Sequence, residues 1–273
     1  MPTFKITLAY DGTNYVGWQR QGAGTSVQGL IEEALRELEG REVTLHGAGR
    51  TDAGVHALGQ VASCALEREI EADVLVRALN ARLPLDVRVM SAEAVSPGFH
   101  ARFHATAKTY RYRIHNADLM SPFDRHYAWH VFGALDAVAM DTAARILEGR
   151  HDFAAFQTGP GTTRTTERTV ARSRVTRSTL AAEDAMGRDG HARAVLRVPR
   201  VVRSGDVITY EITGDGFLRH MVRAIAGTLV EIGRGRWTIE EMREVLDSRD
   251  RGRAGPTAPA WGLFLVGVEY GDL

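Results

Sequence analysis

The sequence predicts an α+β fold built from two ferredoxin-like βαββαβ halves. Three observations predict it: period-two strand patterns, helical apolar spacings between them, and a repeat of their order in the second half of the chain. Phe4, Ile6, Leu8 and Tyr10 alternate with Lys5, Thr7 and Ala9, the pattern of a half-buried strand. Thr25 and Gln28 stand at capping-box spacing, and Val27, Leu30, Ile31, Ala34, Leu35 and Leu38 follow at helical spacing until Gly40. A short strand is expected around Val43 to Leu45, then a Gly-rich loop, then an apolar strand from Leu58 to Ala65. Val74, Leu75, Ala78 and Leu79 mark a second helix, and Val87 to Val95 a further strand.

The order then repeats. Lys108, Tyr110, Tyr112 and Ile114 alternate as a strand, and Met140 to Leu147 is helical. Residues 166–178 and 192–213 read as a hairpin with a polar tip near Glu183 to Gly190. Phe217, Met221, Ile225, Leu229 and Ile232 fall on one helix face, Ile239 to Leu246 form a short helix, and Trp261 to Tyr270 a last strand. The halves, 1–103 and 104–273, are expected to join into one continuous, mainly antiparallel sheet with a central cleft.

A chain of 273 residues with 44% hydrophobic and 25% charged content is ordinary for a protein with a sizeable core. The single cysteine, Cys64, excludes an internal disulfide and a multi-thiolate zinc site. No apolar run reaches membrane-span length and the first residues read as a strand, so a cytoplasmic location is expected. Net charge is zero, with 34 Lys plus Arg against 34 Asp plus Glu, and gives no bulk argument for a polyanionic partner. Only Lys5 and Lys108 are lysines, a ratio that coding bias toward arginine explains. Arg164, Arg168, Arg172, Arg174 and Arg177 cluster against the one acid Glu167, as an RNA-facing strand or a solvated edge.

The segment His46-Gly47-Ala48-Gly49-Arg50-Thr51-Asp52-Ala53-Gly54-Val55-His56-Ala57 places glycines, histidines, an arginine and an aspartate between two strands. Loops held by strands are where chemistry tends to sit, and glycines let the backbone approach a ligand. Taken alone, the pattern is also that of a surface turn.

With its continuation the segment reads GAGRTDAGVHALGQVA, which resembles the signature of the tRNA pseudouridine synthase A family. Tyr10-Asp11-Gly12-Thr13 with Gly17-Trp18-Gln19, Phe99-His100-Ala101-Arg102-Phe103, and Lys108-Thr109-Tyr110-Arg111-Tyr112 resemble further family blocks. So do His151-Asp152-Phe153, the run Gly216 to Arg223, and the run Ala254 to Ala260, which extends the resemblance over nearly the whole chain. The resemblance implies the pseudouridine synthase fold, a homodimer, and tRNA as partner, modified in its anticodon arm at family positions 38–40. It implies Asp52 as the catalytic nucleophile, Arg223 as the cation that keeps it ionised, and Tyr110 stacked on the target base. Arg50 is expected to contact a phosphate or hold the flipped nucleotide, and Phe217 and Leu218 to line the base pocket or simply to begin a helix core.

Pseudouridine formation breaks the N1–C1′ bond, turns the uracil while it stays bound, and rejoins it through C5. A carboxylate serves by attacking C1′ or uracil C6, or by stabilising the cationic sugar. Desolvation raises a carboxylate pKa, hence the need for a cationic neighbour. The target uridine must leave its stack to be reached. His46, His56 and the His151-Asp152 pair match no metal-ligand spacing, and the glycines lack the Lys and Ser/Thr of a phosphate loop. No metal, cofactor or nucleotide is therefore expected. Two rivals differ in kind: a silent RNA-binding module, which has no use for Asp52, and a nucleoside or glycoside hydrolase, which requires a second carboxylate opposite it.

Overall fold

The computed structural model describes residues 1–159, 165–179 and 205–271. Among them are ten strands, paired mainly antiparallel, and five α-helices. They form two compact units, Met1–Tyr110 with Phe264–Leu273, and Arg111–Leu263.

In the first unit, β1 (Thr3–Tyr10) buries Phe4, Ile6, Leu8 and Tyr10 as its alternation requires. α1 (Val27–Glu39) buries Val27, Ile31, Ala34 and Leu35 and ends at Gly40, whose φ of 74° is the left-handed cap. Its N-cap is Ser26, whose Oγ accepts from Gly29 N at 3.2 Å, and not the expected Thr25 with Gln28. Gln28 instead donates to Leu45 O at 3.0 Å and Glu32 Oε1 at 2.9 Å. The short strand expected at Val43 to Leu45 lies one step later, as β2 (His46–Gly47), because it is there that the backbone comes opposite Ser63 and Ala62. β2 pairs with β3 (His56–Ala65); α2 (Ala72–Asn80) and β4 (Val87–Val95) follow. β1 lies antiparallel between β3 and β4. The last strand of the chain, β10 (Leu263–Tyr270), returns parallel to β3, with Phe264 opposite His56 and Leu265 opposite Ala57.

β5 (Ala105–Asn116) gives its first residues to this unit and its second part, from Arg111, to the other. There β6 (Trp129–Val131) runs parallel to β5, and β7 (Gly149–Asp152), β8 (Glu167–Thr179) and β9 (Asp206–Gly214) pair antiparallel in sequence. β6 and β7 carry too few residues to show a period, and the sequence reading omits both. The expected hairpin is β8 with β9; its tip at Glu183 to Gly190 lies outside the described residues. α3 (Ala137–Arg145) packs on β8 and against α4 (Met221–Gly233) and α5 (Ile239–Ser248).

α4 departs from the one-faced helix its spacing predicts. Every residue from Met221 to Gly233 is buried except Arg223, as in a helix packed on all sides. Glu231 is tolerated there because Arg234 and Arg236 each reach it at 3.0 Å. Gly227 meets the carbonyl of Pro256: a Cβ on it would stand 1.7 Å from that oxygen. The segment Ala254 to Ala260 therefore lies directly on the helix. Arg251 ties it down by donating to Gly255 O at 3.0 Å and Thr257 Oγ1 at 2.8 Å, and Gly255 N donates to Thr228 Oγ1 at 3.0 Å.

Candidate active site

The loop between β2 and β3 carries Asp52 and is fixed chiefly through backbone. Asp52 O accepts from Val55 N at 3.1 Å, closing a turn, and Asp52 forms an isolated antiparallel bridge with Gly17. Flanking bonds zip the two segments together: Trp18 N donates to Thr51 O at 3.1 Å and Gly54 N to Tyr15 O at 3.3 Å. Gly17 has φ of 108°, and a Cβ there would stand 2.4 Å from Thr51 O, so only glycine permits this approach.

A buried polar chain supports the loop from beneath. Gln60 Nε2, on a fully buried side chain, donates to Gly49 O at 2.9 Å and lies 3.5 Å from the Tyr10 hydroxyl. That hydroxyl is 2.8 Å from Thr51 Oγ1, adjacent to Asp52 in sequence. Buried polar groups are costly unless paired, so this chain holds one arrangement of the loop. His56, also buried, accepts from Gly12 N through Nδ1 at 3.0 Å and stacks on Phe264 at 4.7 Å. Asp52 itself is partly exposed, Arg50 is exposed, and the Lys108 ammonium lies 3.7 Å from the position a Cβ on Gly49 would take.

Tyr110 stands in the same unit. Its phenol is pushed well above the usual range, first by burial and then by the fields of Tyr10 and Asp52. The ring is therefore within electrostatic reach of the Asp52 carboxylate, and its hydroxyl is protonated at neutral pH. That suits stacking and donation rather than a resting-state base.

The second unit gathers Arg223, Phe217 and Leu218 around the start of α4. Arg223 is held at both its backbone and its side chain: its carbonyl accepts from Ala258 N at 3.1 Å, and its Nε donates to Ala258 O at 2.7 Å. Leu218 is buried, and its carbonyl accepts from Met221 N at 3.1 Å. Phe217 is partly exposed and precedes the helix rather than lying on its face. Tyr112, on β5, donates to Pro259 O at 2.7 Å; burial raises its phenol and Arg223 opposes the rise.

Other motif residues have structural partners. Asp152 accepts from Ala154 N at 3.0 Å and pairs with Arg249 at 3.2 Å, and His151 Nε2 is 2.9 Å from Glu148 O. The arginines of β8 are largely engaged by the protein: Arg174 pairs with Glu148, Arg177 with Asp206 at 3.3 Å, and Arg168 donates to Thr165 O at 3.0 Å. Arg172 is exposed, and Arg164 lies outside the described residues. Sequence reasoning quoted Tyr10, Thr51, Gln60 and Lys108 only within strand patterns and family blocks and gave none of them a role in the site. Gln60 carried a signal, as a long amide within an otherwise apolar strand.

Residues 6–104 and 143–271 match a family profile described as tRNA pseudouridine synthase. The chain is 44% identical over 272 residues to tRNA pseudouridine synthase A of Moorella thermoacetica, covering 99% of this chain and 100% of that one. It is 42% identical to the protein of that name from Afipia carboxidovorans and 43% identical to that from Geobacter sulfurreducens, again over 99% of this chain and 100% of each relative.

Proposed function

The chain belongs to the tRNA pseudouridine synthase family, and from that premise we propose that it isomerises uridines of the anticodon arm, with Asp52 as the reacting carboxylate. It is an isomerase acting on tRNA. The observation that carries the assignment of Asp52 is its clamp: a partly exposed carboxylate whose backbone is bridged to Gly17, within electrostatic reach of the buried Tyr110. A carboxylate pre-positioned in this way pays little reorganisation when the nucleotide arrives.

In this reading the target uridine leaves its stack and its base lies on the Tyr110 ring, with Phe217 and Leu218 lining the base pocket. Arg50, exposed two residues before Asp52, takes a phosphate of the displaced nucleotide. Asp52 bonds to C1′ as the N1–C1′ bond breaks, or adds to C6 and releases it later; the uracil turns without leaving, C5 closes on C1′ as the bond to Asp52 breaks, the C5 proton departs, and N1 takes up a proton. Arg223 supplies the positive charge that keeps the carboxylate ionised during desolvation. The protein works in the cytoplasm as a homodimer that grips the folded RNA.

The test uses tRNA transcript tritiated at uracil C5, following tritium and free base together. Tritium loss with the base retained is the expected result. Free uracil would mean hydrolysis, and tight binding without either product would mean a silent binding module.

A further inference from the structure

At the other end of β3 from Asp52, the first unit carries a stair of rings. His46 stacks on His100 at 4.6 Å between centroids, and the Phe103 ring, tilted by 36°, lies 4.2 Å from His100. Phe103 is 73% exposed, and the Arg102 guanidinium stands over its ring at 5.9 Å. The turn that presents them is anchored from below. Ala101 N donates to Ser63 Oγ at 3.1 Å, Ala101 O accepts from the Tyr270 hydroxyl at 2.8 Å, and Phe103 N and His104 N both donate to His100 O. Beside the stair opens a cavity of about 420 Å³ lined by Arg41, Thr44, His46, Ser63 and His100, with Glu42 on its wall.

An exposed phenylalanine on a rigid turn is a preformed apolar surface, and the groups around it say what it suits. His100 Nδ1 accepts from Arg102 N at 3.1 Å and His104 Nδ1 from His100 N at 3.3 Å, so each neutral imidazole carries its proton on Nε2 as a donor. Burial, then His46, His104 and Arg102, hold the His100 pKa below its ordinary value. A neutral, flat imidazole beside an aromatic ring, rimmed by a guanidinium and N–H donors, matches an unstacked base with its phosphate. An apolar protein surface would leave Arg102 desolvated and unpaired, since Arg102 makes no ion pair among the described residues.

We propose that this stair is a second RNA contact, in which an unpaired nucleotide of the tRNA lays its base on Phe103 and its phosphate against Arg102 and His104. The inference rests on tRNA being the substrate. His46 lies opposite Ser63 in the β2–β3 pair. From His56, next to the Asp52 turn, to Ser63 is seven steps at about 3.3 Å, on the order of 23 Å. The stair thus stands toward the opposite end of β3 from His56, and the proposal places its nucleotide outside the anticodon stem-loop.

The experiment compares full-length tRNA transcript with an isolated anticodon stem-loop RNA. Phe103→Ala should raise Kd and KM for full-length tRNA roughly five- to tenfold with kcat unchanged, Phe103→Trp should retain affinity, and the stem-loop should bind both variants as it binds the parent. Arg102→Ala should lower the slope of log Kd against log salt by about one. Unchanged full-length affinity in the Phe103→Ala, Arg102→Ala double variant would overturn the proposal. An equal loss on the stem-loop, or an effect on self-association in place of RNA binding, would overturn it as well. The two readings fail separately: a parent protein that releases no tritium refutes the activity, whereas normal turnover with indifferent stair variants refutes only the second contact.

Discussion

The loop that carries Asp52 and the helix that carries Arg223 hold their functional groups by different means. The loop is a short piece of irregular backbone, fixed by a bridge to Gly17 and by side-chain hydrogen bonds through Gln60, Tyr10 and Thr51. The helix is packed on every side, and its arginine is fixed by two bonds to Ala258 in the segment lying across it. Hydrogen bonds position without adding much net stability, whereas close packing contributes stability directly. Damage to the loop should thus appear first in turnover, and damage to the helix first in folding.

The largest expected effect is on chemistry alone. Asp52→Asn should cost about a thousandfold or more in tritium release while the melting temperature and tRNA affinity stay near those of the parent, since phosphate contacts supply most of the binding. Near-normal turnover would remove the assignment. Next comes Gly227→Ala, which sets a methyl group against the Pro256 carbonyl and should destabilise by about 3 kcal/mol in urea unfolding. A fully stable Gly227→Ala protein would show that the crossing segment is not packed as described. Tyr10→Phe removes the hydroxyl that bridges Gln60 and Thr51 and should cost about 1 kcal/mol of stability. Its larger mark should be on kcat, through a looser loop, and a loss confined to stability would break the contrast between the two regions. The smallest effect is a non-reaction. Burial pushes the Cys64 thiol up to about 12, so the folded protein should resist alkylation near pH 8 and react only when denaturant opens the unit.

Much of this was legible because it is local. β1, α1 to its Gly40 cap and β4 follow from period and cap chemistry, and it is the family resemblance of the segment around it that singles out Asp52. What was not legible depends on partners far along the chain. Thr25 and Ser26 are adjacent and both suit an N-cap; the choice falls to the residue whose oxygen reaches Gly29 N. The spacing of Met221, Ile225, Leu229 and Ile232 shows one face of α4, and a sequence does not announce that Ala258, Arg234 and Arg236 will satisfy Arg223 and Glu231 on the others. The chain Gln60–Tyr10–Thr51 spans residues up to 50 apart, beyond any local window.

The parallel pairing of β10 with β3 makes the seating of the Asp52 turn depend on a strand far along the chain. Phe264 and Leu265 sit opposite His56 and Ala57, at the foot of the Asp52 turn, and the Phe264 ring covers His56. A chain that stops before residue 264 holds the complete Asp52 loop yet lacks the strand that pairs with β3 beside it. On the proposed reading of Asp52, a polypeptide ending before residue 264 should carry the whole Asp52 segment and remain idle.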